Sequence, residues 1–285
     1  MIARAPLALT VAAACAACVP SPAPQPLARQ AATAADGAPT EGELLHVDFD
    51  ETAVGPFTQG SLTASFRGIE GHGQGLERAS IVATERGRSL RIRYPQGSVG
   101  PGEGGAQFMA RLPGNHDELH CAYRVRFASG FSFVRGGKLP GLVGGSRPTG
   151  GKPRDDGFSA RLMWRPGGAA VQYVYYPHQS QTYGVDLPYL LAGSPARFQP
   201  GVWHRVEHRV VMNTPGQANG VLQAWIDGQL ALDLHDRVWR LDDSIHVDAL
   251  YFSTFFGGND PSWGAARDET VDFDDFIVSP RRIWP

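Results

Sequence analysis

Between residues 44 and 278 the chain repeatedly alternates apolar and polar residues with a period of two. Side chains two apart share one face of a strand, whereas a helix aligns residues three and four apart. This pattern therefore commits the chain to β-structure. Leu44-Leu-His-Val-Asp-Phe-Asp50, Ser61-Leu-Thr-Ala-Ser-Phe66, Ser89-Leu-Arg-Ile-Arg-Tyr94 and His120-Cys-Ala-Tyr-Arg-Val-Arg-Phe127 all read as strands. Further strands are expected at 158–165, 171–176, 203–212, 221–227, 230–234, 247–256 and 271–278. Turn residues separate them: Asn213-Thr-Pro-Gly216, Asn219-Gly220 and Asp227-Gly228, the last being the strongest hairpin signal. No segment carries a helical period over three turns.

About a dozen short strands rich in Gly and Pro turns point to an all-β fold, a two-sheet β-sandwich of jelly-roll, concanavalin-A-like type. Such sandwiches can lay an extended ligand on a concave sheet. Residues 42–285 contain no second linker, so one β-domain is expected there. Ahead of it, 19–41 is Pro, Ala, Gln, Thr and Gly without aromatics, a composition that cannot bury a core and reads as a linker. Residues 1–18 read as an export signal: Arg4 precedes a short apolar run too short to span a bilayer. Cys15 and Cys18, each after two alanines, allow either a lipoprotein anchor in the outer membrane or ordinary cleavage. Export to the periplasm, the medium or the cell surface is expected. Beyond the signal only Cys121 remains, in an apolar strand, so a buried inert thiol is expected. The net charge of −2 gives no reason to expect nucleic-acid or membrane-surface binding. A monomer is the expected state.

Within this frame one residue stands out chemically. Of 26 basic residues only Lys138 and Lys152 are lysines. Lys138 sits in the glycine-flanked run Arg135-Gly-Gly-Lys-Leu-Pro-Gly-Leu-Val-Gly-Gly145. A lysine can lose its proton and act as a base, which an arginine cannot. In Gly157-Phe-Ser-Ala-Arg-Leu-Met-Trp-Arg165, Ser159 and Arg161 share a face with Met163 and Arg165, opposite an apolar face of Phe158, Ala160, Leu162 and Trp164. On the next strand Tyr173 and Tyr175 share a face. Five of the eight tyrosines fall between 173 and 189, and tyrosine's apolar body and polar tip suit a carbohydrate.

A lysine, an arginine, a serine and two tyrosines suit removal of a proton α to a carboxylate, followed by β-elimination. The enolate-like intermediate needs a cation near the carboxylate, and arginine meets a carboxylate bidentately. The reaction also needs a base for the proton and an acid for the leaving oxygen. Free lysine and tyrosine both titrate near ~10, so either can serve either role once neighbouring charge shifts it.

Gly136-Gly-Lys-Leu-Pro-Gly-Leu142, Ser-x-Arg at 159–161, Tyr-x-Tyr at 173–175, Asn213-Thr-Pro-Gly216 and Phe252-Ser-Thr-Phe-Phe-Gly-Gly258 together resemble polysaccharide lyase family 14, over roughly residues 105–278. The resemblance implies a β-jelly roll that cleaves an acidic polysaccharide, a polyuronate such as alginate or glucuronan, by β-elimination to unsaturated uronate ends. It implies Lys138 as the catalytic lysine, Ser159 and Arg161 as cleft residues beside the substrate, and Tyr173 and Tyr175 as assisting catalysis and binding. Arg135, near Lys138, and His178, just past the tyrosine strand, are further substrate-binding candidates. Whether Lys138 or a tyrosine takes the C5 proton stays open at this level.

Other signals carry less. His204 and His208 have the spacing of a helical zinc pair, but on a strand they stand ~13 Å apart and cannot share a metal. Asp48, Asp50, Asp272, Asp274 and Asp275 could converge if the terminal strands pair, which would suit a structural calcium. No cofactor is otherwise expected. A glycoside hydrolase needs two carboxylates ~5–10 Å apart, and no compact Glu-x-Asp-x-x-Glu strand supplies them. The stronger rival is a non-catalytic carbohydrate-binding jelly roll using the same tyrosine face.

Overall fold

The structure, a computed structural model, describes residues 42–284 and Met1. The remainder of the export signal, with Cys15 and Cys18, and the 19–41 linker lie outside the described residues.

The described residues are dominated by strands. The first four are β1 (Leu45–Val47), β2 (Gly55–Pro56), β3 (Ala79–Thr84) and β4 (Gly87–Tyr94). There follow β5 (Ala106–His116), β6 (Glu118–Phe127), β7 (Gly137–Gly145), β8 (Gly157–Trp164) and β9 (Ala170–Tyr175). Next come β10 (Val185–Pro188), β11 (Leu190–Leu191), β12 (Ser194–Pro195) and β13 (Trp203–Val211). The last are β14 (Gly220–Ile226), β15 (Gln229–Arg237), β16 (Val247–Phe256) and β17 (Glu269–Ser279). A nine-stranded sheet runs β15-β14-β13-β6-β17-β4-β3-β2, with β1 pairing β17. A six-stranded sheet runs β10-β9-β8-β7-β16-β5. Their inner faces share one core, in which Leu90, Val125 and Phe273 of the first sheet cluster with Leu142, Leu162 and Phe252 of the second. Phe108 and Phe252 stack there with centroids 4.5 Å apart. The two-sheet jelly-roll expectation holds.

The Asp227-Gly228 hairpin joins β14 to β15 with both residues at positive φ, +52° and +82°, as a two-residue turn matched to strand twist requires. Cys121 is a buried free thiol.

One expected strand is a helix. Ser61–Phe66 lies in α1 (Gln59–Ser65) and its C-cap. Leu62 and Phe66, four apart, fit both periods, and both are buried. Thr58 decides the outcome: its side chain accepts a hydrogen bond from Ser61 N–H and caps the helix.

β7, like β8 and β9, shows no alternation in burial; its eight residues up to Gly144 are all buried. It is central in its sheet, between β8 and β16. Pro140 has no N–H to give a ladder, and the register against β8 shifts between Leu139 and Gly141. Glycine is needed around it because a Cβ on Gly141 would come within 2.2 Å of Ala160 O, and one on Gly137 within 2.0 Å of the Trp164 ring. The Lys-Leu-Pro-Gly-Leu run is therefore a bulged, tightly packed strand that fixes where Lys138 points.

Candidate active site

The outer face of the six-stranded sheet forms the floor of a cleft enclosing about 410 Å³. Lys138 on β7 lies opposite Met163 on β8 and Phe255 on β16. Arg161 on β8 lies opposite Tyr173 on β9 and Gly141 on β7. Gly141 puts no side chain between Arg161 and Tyr251 of β16, so the guanidinium carbon stands 5.0 Å from the Tyr251 ring centroid.

Both floor cations are buried without a counter-charge. Arg161 is 2% exposed; Nη1 donates to Ser253 Oγ at 3.0 Å, and Nε has no hydrogen-bond partner. Lys138 is 9% exposed; Nζ donates to the Met163 thioether at 2.7 Å and lies 3.2 Å from the Tyr173 ring centroid. Among the described residues no carboxylate forms an ion pair with either. A thioether and an aromatic face stabilise a cation far less than a carboxylate does. Burial, then the nearby Arg161 and Arg165, push the Lys138 pKa well below that of free lysine, with Asp186 partly opposing.

Tyr173 behaves oppositely. Tyr173 Oη accepts from Gly184 N–H and Tyr175 Oη from Gly151 N–H, each at 2.9 Å. Their rings meet edge to face, with centroids 5.7 Å apart. Burial, then the hydrogen bond and charge of Tyr175, raise the Tyr173 pKa above the usual phenol range. The floor thus holds an amine biased toward its neutral form beside a phenol biased toward its protonated form.

Of the seven expected site residues, Lys138, Arg161, Tyr173 and Tyr175 line the cleft together. The other three lie outside the lining. Ser159 is fully buried outside the lining; its Oγ donates to Pro148 O at 2.8 Å and ties the 146–156 loop to β8. Arg135 stays at the rim, 4.7 Å from the centroid of the Trp263 ring, which does line the cleft. His178 is exposed at positive φ and pairs with Asp155 at 3.1 Å, away from the lining.

Met163, Arg165, Tyr183, Tyr251, Asn259 and Trp263 also line the cleft. Met163 and Arg165 were legible as face-mates of Arg161. Tyr251 follows from the alternation of β16, whose next residue inward begins the Phe252–Gly258 run. Tyr183, Asn259 and Trp263 lie on connections, where no local period points to a face.

The discounted histidines have structural partners. His204 Nδ1 bonds Asp227 at 2.8 Å. His208 Nε2 accepts from Leu142 N–H at 3.2 Å, and burial lowers its pKa to about 3. The terminal strands do pair, but Asp272 is engaged by Arg91 and Arg126. Among the described residues no three His, Cys, Asp or Glu side chains are placed to hold a metal ion.

Known proteins share this fold and more. The chain is similar to the marine PL-14 alginate lyase from Aplysia kurodai: 28% identity, TM-score 0.71, covering 85% of this chain and 99% of that one. It is similar to alginate lyase Aly36B at 26% identity and TM-score 0.72, covering 84% and 97%. A variant of Aly36B has been solved in complex with an alginate trisaccharide. A curated relative, Exolysin of Paramecium bursaria Chlorella virus 1, is 24% identical over an alignment of 190 residues that covers 55% of this chain but only 29% of that protein. The profile of the family described as Polysaccharide lyase 14 matches residues 82–276, a stretch that runs from β3 to β17 and contains the whole cleft floor. By that match the chain belongs to the polysaccharide lyase 14 family.

Proposed function

We propose that this protein cleaves a uronate-containing polysaccharide, of the alginate or glucuronan class, by β-elimination. The observation that carries the reading is Arg161, a guanidinium buried on the cleft floor with no carboxylate partner among the described residues, beside Lys138, whose amine burial drives toward its neutral form. An ion buried without compensation is costly unless a ligand supplies the missing charge. A uronate carboxylate fits that need, and arginine can receive it bidentately. The alginate lyases to which the chain is similar support the substrate class.

In this reading Arg161 neutralises the carboxylate and so acidifies the C5 proton. Neutral Lys138 takes that proton on Nζ. The electron pair of the C5–H bond becomes the C4=C5 double bond as the C4–O bond breaks. The leaving oxygen takes a proton from Tyr173 or Tyr175. The opposed shifts of Lys138 and Tyr173 support this assignment of base and acid over its reverse. Export, suggested by residues 1–18, would place the enzyme where polymeric substrate is found.

The test is a panel of polymannuronate, polyguluronate and glucuronan, followed by ultraviolet absorbance of the unsaturated uronate. Absorbance should rise with at least one polymer. New reducing ends without that absorbance would indicate hydrolysis, and binding without either product would indicate a carbohydrate-binding protein; both would overturn the proposal.

A further inference from the structure

Two loops that leave opposite ends of the cleft floor meet above it. Loop 176–184 leaves β9 at Tyr175, where the ladder partner is Ser159. The segment from 257 leaves β16 at Phe256, whose partner is Gly137, next to Lys138. In the sheet β9 and β16 are separated by β8 and β7. Three strand spacings amount to ~14 Å of floor, and the two strands between carry Lys138, Arg161 and Met163. Yet Asn259 Nδ2 donates to Tyr183 Oη at 3.3 Å, and both residues line the cavity.

A third loop reaches the same point. A Cβ on Gly151 would come within 2.8 Å of Tyr183 Cε1, so the tyrosine ring packs directly on that glycine. Gly151 N–H in turn bonds Tyr175 Oη on the floor. The 146–156 loop is anchored from its near end by Arg147, which pairs with Glu70 at 2.6 Å and Asp248 at 2.9 Å. Tyr183 is nevertheless 49% exposed, so burial does not hold it. Gln179 Nε2 donates to its carbonyl at 3.1 Å and holds the backbone, while the ring is placed by the Asn259 bond and the Gly151 contact.

We infer that Tyr183 and Asn259 form a bridge across the cleft and thereby set where along a polyuronate the enzyme cuts, an inference that rests on the lyase reading above. With the bridge made, a chain enters by threading an end beneath it. With the bridge broken, the interior of a chain can settle sideways onto the floor. A single neutral hydrogen bond at 3.3 Å is weak. The bridge therefore biases attack toward chain ends without forbidding attack in the middle.

The experiment compares wild type with Tyr183→Phe, which removes only the hydroxyl, and Asn259→Ala. The readout is the fall in viscosity of a long polyuronate per double bond formed, a ratio unaffected by a change in overall rate. Interior cuts lower viscosity far more per bond than end cuts. Both variants should show a several-fold steeper fall than wild type, and equal slopes would overturn the bridge. A wild type that forms no unsaturated product on any polymer would sink the lyase reading instead. The bridge is then judged by association rates of long and short oligouronates. The long-to-short ratio should rise several-fold in Asn259→Ala, and an unchanged ratio, or no binding at all, would overturn it.

Discussion

The outer faces of the two sheets both carry basic residues, and they handle them in opposite ways. On the nine-stranded sheet several arginines meet carboxylates on neighbouring strands and turns. Arg91 pairs with Asp272 at 2.7 Å, Arg126 with both Asp272 and Glu85 at 2.9 and 2.7 Å, and Arg209 with Glu118 at 2.8 Å. On the six-stranded sheet Lys138 and Arg161 are more deeply buried and have a thioether, a hydroxyl and aromatic faces for company. Paired charges contribute to the fold and have little left for a ligand. Unpaired buried charges cost stability and keep their attraction for an anion that arrives later. The absence of a carboxylate, more than the presence of a cation, marks the site.

The sharpest challenge to that contrast is Lys138→Arg, which installs a permanent cation and removes the base. Loss of a general base costs ~10²–10⁴ in rate, so kcat/KM on the best polyuronate should fall by about that factor. Near-wild-type activity would leave Lys138 an electrostatic role only. The pH profile adds a second readout. Neutral lysine accumulates as pH rises through its folded pKa, which lies well below the ~10.4 of free lysine. Wild-type activity should therefore climb on a limb below that value, and any residual activity of the variant should lack the limb.

Next in size is a matched pair, Arg161→Met and Arg126→Met. The first should lower kcat/KM by ~10²–10³, as for a lost charge-stabilising donor, while leaving thermal stability unchanged or raised. The second takes one of two partners from buried Asp272 and should cost about 1–3 kcal/mol of unfolding free energy with little effect on turnover. Melting temperatures and rates measured together would break the comparison if the two variants behaved alike.

A last test, read on stability alone and not on turnover, concerns Asp274, a buried carboxyl of the nine-stranded sheet with no ion pair among the described residues. Burial, then the charge of Asp275, raises its pKa to about 8. An unfolded aspartate ionises near ~3.9. Stability from the protonated native carboxyl is therefore fully present below that pH and is lost as pH rises through about 8. Asp274→Asn cannot ionise and should melt at a higher temperature than wild type above pH 8, with the difference shrinking toward acid. A constant difference across pH would remove Asp274 from the account.

Much of this was legible before any fold was known. The faces of β8 and β9, and so the company of Arg161 with Tyr173 and Tyr175, follow from period two. β3 and β5 carry the same period, burying Ala79 with Ile81 and Phe108 with Ala110 and Leu112. The Ser61–Phe66 helix was not legible because i,i+4 spacing also satisfies a strand period, and a single cap at Thr58 broke the tie. His178 was placed near the cleft by adjacency to Tyr175, but its backbone turns at φ +60° and carries it to solvent beside Asp155.

By itself the sequence determined the alternation, the hairpin at Asp227-Gly228 and the chemical identity of the floor residues, because each depends on neighbours within a few positions along the chain. Only the tertiary structure decided which charges found partners. Arg91 meets Asp272 across 181 residues, and Tyr183 meets Asn259 across 76. Electrostatic compensation acts through space, so the unpaired state of Lys138 and Arg161 exists only once every other charge has been put in its place.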